Sequence, residues 1–232
     1  MTAWLVLLAA LTAPAQELPE VRQLVTFKFL PGRSQEAVTI FKEEALPVYR
    51  AHAPMLRFRG YREAESPEPL DLIVVSTYRG MAGMDAFHDA VQKSGASLGG
   101  LYGRIGALTQ EHRDEVVEMD ASLAWGDMEK APLQVLVSHR IATGKTDTYE
   151  SLLHDRIIPW EKQAGIIMGS ESGRFLVSNG WHYFRIIGVT SLGDWHRYGT
   201  EGRAQPWSRQ VSLIVAESKQ AIVAPLPELS VR

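Results

Sequence analysis

Apolar positions along this chain fall into two kinds of run. Residues 23–30 alternate Val25, Phe27 and Phe29 with polar neighbours and stop at Pro31-Gly32, which predicts a strand ended by a turn. Behind Ser34, a candidate cap, Ala37, Ile40, Phe41, Ala45 and Val48 recur at helical spacing. Pro47, late in that helix, should kink it or interrupt its hydrogen bonding. Residues 57–65 predict a second strand, Ser66-Pro67-Glu68-Pro69 a turn, and the unbroken apolar run 70–78 a third strand buried on both faces. A helix from about Met84, loops near Gly95 and Gly99-Gly100, and an edge-type strand over 115–122 complete the series. The stretch GGLYGRIG reads as helix-loop punctuation.

The series then recurs. Residues 136–144 repeat the pattern of 24–32 at a separation of 112 positions, from Phe27 to His139. Asp147 and Glu150 form a D-x-x-E capping box ahead of an apolar face of Tyr149, Leu153, Ile157 and Trp160. Pro159 stands where Pro47 does, and 184–190 match 72–78. On that register Arg185 takes the place of Ile73. His88 matches His196, which suggests a shared role in closing a helix start. Residues 217–224 repeat 111–118 at a shorter separation. The order strand, helix, strand, strand, helix, strand therefore occurs twice, over 21–122 and 133–229, with 123–132 as linker. A four-stranded sheet with both helices on one face leaves its other face bare, so two such units are expected to pack sheet to sheet.

Composition narrows the partners more than the chemistry. The 232 residues carry a formal charge of -3 with Lys and Arg scattered, which gives no basic face for nucleic acid. There is no cysteine, hence no disulfide, thiolate metal site, cysteine nucleophile or lipoprotein anchor. Residues 1–15, MTAWLVLLAALTAPA, have an apolar run and the small residues Ala13 and Ala15, as a cleaved signal peptide does. The run is about half of the roughly 20 residues a membrane span needs. Cleavage after Ala15 would export the mature chain to a periplasmic or extracellular space, with no membrane attachment.

The strand with its Pro31-Gly32-Arg33 turn, the helix carrying LPVYRAH over 46–52 and the later apolar strand resemble the dimeric α+β barrel superfamily. Within it the pattern is most similar to NIPSNAP-like proteins, with stress-responsive A/B barrel and antibiotic-biosynthesis monooxygenase proteins close by. The resemblance covers nearly the whole mature chain. It implies an α+β fold of two tandem ferredoxin-like (βαββαβ) repeats forming a fused barrel, a pseudo-dimer within one chain. Members include cofactor-free monooxygenases, cyclases, haem-dependent enzymes and proteins with no known activity, so the fold does not choose the function.

The two halves differ most tellingly where Phe27 is replaced by His139. The functional reading is a pocket in the second half for a small hydrophobic or aromatic ligand. His139 acts as base or hydrogen-bonding group, Arg185 holds an anionic oxygen, and Trp160, Trp181, Tyr183 and His182 form walls. The opposing reading makes His139 a core histidine and the chain a non-catalytic structural or partner-binding module. No metal is expected: His139, His154, His182 and Glu161 lack a ligand spacing. No cofactor is expected either, haem being the one the superfamily would allow.

Overall fold

The computed structural model describes residues 18–51, 54–65, 71–94 and 98–231. The leader read over 1–15 with its cleavage point, His52, the turn at 66–69 and the Gly95 loop lie outside the described residues. Eight strands make one antiparallel sheet closed into a barrel, in the order β1-β3-β2-β8-β5-β7-β6-β4. They are β1 (Glu20–Phe29), β2 (Met55–Glu65), β3 (Leu72–Arg79), β4 (Thr109–Gly126), β5 (Leu133–Ile141), β6 (Gly169–Val177), β7 (Tyr183–Val189) and β8 (Val215–Val231). The helices are α1 (Ser34–Ile40), α2 (Leu46–Ala51), α3 (Gly80–Lys93), α4 (Leu98–Leu108), α5 (Thr146–Leu152), α6 (Ile158–Ala164), α7 (Leu192–Arg203) and α8 (Ser208–Ile214).

The closed barrel agrees with the fold the resemblance implied, and one continuous sheet replaces two separate sheets laid face to face. β2 pairs with β8 and β4 with β6, so the sheet is continuous and has no open edge. The strand expected over 115–122 at an edge is instead an 18-residue strand hydrogen-bonded on both sides. It runs to Gly126, and a 3₁₀ turn over Met128–Lys130 follows before β5. GGLYGRIG is no loop: it lies in α4, with Leu101 and Ile105 buried.

Alternation along the strands sorts the core into layers. Leu24, Ile73 and Val117 meet Leu136, Phe184 and Val223 in one cluster drawn from both halves, which fills the barrel lumen. The opposite faces pack under helices, Phe27 and Val74 in the first half, Tyr183 and Ile187 in the second. Pairing fixes the register between halves. Val25 lies opposite Val74, and Val137 lies opposite Arg185. The counterpart of Arg185 is therefore Val74, and Ile73 corresponds to Phe184. A one-residue slip in a strand moves a side chain to the other face, so this correction places Arg185 on the helix side together with His139.

At both prolines the ordinary helical hydrogen bonding is interrupted, as expected of Pro47. A π-helical turn, Phe41–Ala45 or Leu153–Ile157, precedes each, and the Leu46 and Ile158 amides donate to carbonyls five residues back, at Phe41 and Leu153. A proline lacks the N–H for the ordinary bond and its ring crowds the carbonyl four residues earlier; the wider turn relieves both problems. The device recurs at the same separation, and it carries Tyr49 in the first half and Glu161 in the second into the core.

Two capping expectations fail for physical reasons. Ser34 opens α1 without capping it, the N-cap being Arg33. Asp147 and Glu150 make no capping box, because both carboxylates are drawn to Arg174 on β6, at 3.0 Å and 2.5 Å. A charge-assisted bond outcompetes a neutral amide donor. His88 and His196 lie inside α3 and α7, and it is Ser191 that caps α7.

Where β6 crosses β4 the backbones are too close for a side chain. A Cβ on Gly173 would stand 2.2 Å from the Glu118 carbonyl oxygen. Gly173→Ala should cost about 3 kcal/mol, the upper end for over-packing, measured as a fall in urea-unfolding stability.

Candidate functional site

Helix-side positions of β5, β7 and β8 form the floor of a cavity of about 480 Å³ in the second half, and α7 and α8 form its sides. The wall is largely apolar, with Val137, Ile157, Ile187, Trp195 and Trp207, and His139, Arg185, Tyr198 and Arg203 break it. His139 and Arg185 thus share one cavity, as the sequence reading required.

Arg185 does not stand free at the wall. It is 4% exposed, and its Nη2 donates to Glu161 Oε1 at 2.9 Å and Oε2 at 3.1 Å. The same nitrogen reaches Ser170 Oγ at 3.1 Å, and Nε reaches Ser172 Oγ at 3.2 Å. Glu161, 1% exposed, also accepts from Tyr198 Oη at 2.6 Å, Ser170 Oγ at 2.9 Å and Trp125 Nε1 at 3.2 Å. Burial alone would push the carboxyl up, but the guanidinium and these donors outweigh it and hold Glu161 ionised below its ordinary value. Burial likewise works against the guanidinium, and Glu161 reverses this. Burial and the adjacent carboxylate raise Tyr198, which stays a neutral donor.

His139 meets Tyr149 edge-on at 5.5 Å between ring centroids. Its Nδ1 is enclosed and has no hydrogen-bond partner, so Nε2 is the ring nitrogen left for the cavity. Burial, and then Arg185, push its pKa down to about 4. The imidazole is therefore neutral at pH 7.

The other expected wall residues lie elsewhere. Trp160 backs the cavity from behind, packed on Tyr198 and Trp207 at 5.3 Å and 5.5 Å. Tyr183 is buried under Tyr149 at 5.0 Å, and its hydroxyl is without a partner. Trp181 lies under Arg140, 5.3 Å from the guanidinium carbon. His182 Nδ1 is 3.0 Å from the Ile141 amide and 2.9 Å from its carbonyl, a strand-end contact. Among the described residues no group of three or more metal-binding side chains converges; His154 pairs with Asp155.

Sequence reasoning missed Glu161 as the partner of Arg185, although the signal was present. In the first half the three corresponding positions are Phe27, Tyr49 and Val74. In the second they are His139, Glu161 and Arg185. A carboxylate and a guanidinium that enter one core together are a compensating pair.

No family model and no curated protein sequence matches the chain. Solved structures do. A candidate monooxygenase from Lactobacillus acidophilus NCFM superposes with a TM-score of 0.64 at 6% identity, over 91% of this chain and 95% of that one. An anthrone oxidase-like protein gives 0.64 at 10% identity, over 91% and 92%. The chain has their ferredoxin-like α+β barrel fold. A chlorite dismutase from Candidatus Nitrospira defluvii shares it, with a TM-score of 0.59 at 11% identity over 90% and 92%.

A histidine that ligates haem is generally oriented by a hydrogen bond on its second nitrogen. Among the described residues His139 is the one imidazole on the cavity wall, and its Nδ1 has no acceptor. His139 therefore lacks the support expected of a haem ligand.

Gly199, inside α7, lies on the cavity wall and also on an outer groove with His196 and Glu65. A Cβ there would meet only the Arg203 guanidinium, at 3.7 Å. A helix-interior glycine costs about 1 kcal/mol against alanine, so Gly199→Ala should raise the melting temperature. Gly199→Leu should leave the fold intact and narrow the entrance, weakening large ligands at least ten-fold in a fluorescence titration.

Proposed function

We propose that this chain is an exported ligand-binding α+β barrel, built of two tandem ferredoxin-like units as a pseudo-dimer in the manner of NIPSNAP-like proteins. Its second half takes a planar, mostly apolar compound and acts on it as an oxygenase without a cofactor. The supporting observation is the His139 cavity, whose size and apolar wall suit a small aromatic ligand. Trp195 and Trp207 offer ring faces, and Nε2 of a neutral His139 accepts a hydrogen bond from a ligand hydroxyl or its enol.

A carbon acid between aromatic rings can reduce dioxygen itself once deprotonated. Its CH₂ becomes C=O, one oxygen atom is retained and the other leaves as water. A base with a pKa near 4 is weak for this task. An enolate bound beside His139 would raise that value, because a neighbouring anion favours the imidazolium. Arg185, already paired with Glu161, contributes a fixed dipole in place of a free cation.

The same two facts favour binding without turnover as the second reading. Anthrone, offered in aerated buffer with a chelator, separates them. Oxygen uptake above autoxidation that His139→Phe abolishes supports the oxygenase. Tryptophan quenching without uptake supports the binder. Neither response overturns both.

A further inference from the structure

The first half carries a cavity of its own, of about 330 Å³, on the helix side of β1, β3 and β4. Native cores hold few voids larger than a water molecule, so a space of this size is not a packing fault. Its wall is built from the rings of Phe27, Phe41, Tyr49, Phe58, Tyr78 and Phe87. These rings brace one another, Tyr49 on Phe58 at 4.8 Å and Phe87 on both Tyr49 and Tyr78 at 5.7 Å.

Charge separates the two cavities. The second has Arg203 on its wall, beside an Arg185 whose charge Glu161 balances. Among the described residues the first has neither lysine nor arginine, and its one carboxylate is Asp114. Asp114 lies opposite Val25 as Gln220 lies opposite Val137, so the acid occupies the position of a neutral amide in the other half. Gln23 Nε2 donates to Asp114 Oδ1 at 3.2 Å, and His112 Nε2 is 3.5 Å from Oδ2. Asp114 is half-exposed, so the acid stands where the cavity meets water. Tyr49 Oη lies 3.1 Å from Tyr102 Oη, a neutral pair at the same opening.

We propose that this cavity binds a small organic cation, a methylated ammonium group held among aromatic faces with Asp114 at the mouth. Ring quadrupoles present negative faces to a cation, and a desolvated box of rings is where that attraction is largest. A neutral guest of equal shape receives only the apolar contact. The second cavity has Arg203 and no carboxylate among its described lining residues, so it offers such a cation no counter-charge, and the two halves sort ligands by charge.

Choline and its uncharged carbon isostere, 3,3-dimethylbutan-1-ol, are the probes. They are titrated calorimetrically into the full chain at pH 8, above the ordinary histidine range. Choline should bind at least ten-fold more tightly than the alcohol. Asp114→Asn, a half-exposed change that keeps the shape, should weaken choline about ten-fold and leave the alcohol and the melting temperature unchanged. Phe87→Leu should weaken choline more than the alcohol. Equal affinities for the two probes, no binding of choline, or choline binding unaltered in Asp114→Asn overturns the proposal.

Discussion

Glu161→Ala should lower the stability of this fold by about 3–5 kcal/mol, the range for stripping the partner from a buried charge. The guanidinium of Arg185 would then be left 4% exposed against Ser170 and Ser172, neither of which carries charge. Tyr198 and Trp125 would lose their acceptor as well. Arg185→Met combined with Glu161→Leu should recover most of the loss, since a well-packed apolar pair often equals a buried ion pair. Urea unfolding at pH 7 measures all three chains. A loss below about 1 kcal/mol for Glu161→Ala would mean that water reaches the pair.

The second large effect is a response to acid. The unfolded chain takes up a proton on His139 near the ordinary value of 6.5, the folded chain only near 4. Between those values the unfolded state holds more protons, so stability falls as pH falls, and below about 4 this loss levels off. The gap between those values corresponds to about 3 kcal/mol as a ceiling, which partial exposure of the ring reduces. Carboxylates add their own acid dependence, so the readout is the difference from His139→Phe. That variant should match the parent or exceed it at pH 7, because it removes a buried nitrogen with no partner. Its advantage should grow steadily between pH 6.5 and 4. Parallel stability curves for the two chains would place the His139 ring in water.

Much of the architecture was legible in the sequence, because alternation and helical spacing are local signals. β1, β3, β5 and β7 lie within a few residues of the expected spans. Barrel closure came from the resemblance and not from local pattern: β2–β8 and β4–β6 pairing depends on strand ends remote in sequence, and the long β4 and β8 read as short segments. The glycines of α4 disguised a helix whose stability comes from burying Leu101 and Ile105 against the sheet. At the site, the exchange of Phe27 for His139 was visible, and His139 does line a cavity together with Arg185. The partner of Arg185 was overlooked, because matching Arg185 to Ile73 left its face open and hid the joint exchange of Tyr49 and Val74 for Glu161 and Arg185. Pairing moves it by one residue and turns it toward Glu161. Trp181 and His182 looked like wall residues because they are aromatic and close in sequence, yet strand direction sends them to the rim.

The second-half cavity, with His139 at its wall, is the ligand site we propose. Fluorescence titration of Trp195 and Trp207 with anthrone, for the parent chain and His139→Phe, tests it most directly. The parent should show saturable quenching and His139→Phe at least ten-fold weaker binding, with melting temperatures equal or higher in the variant. Equal binding by both chains, or no binding by the parent, would contradict this assignment.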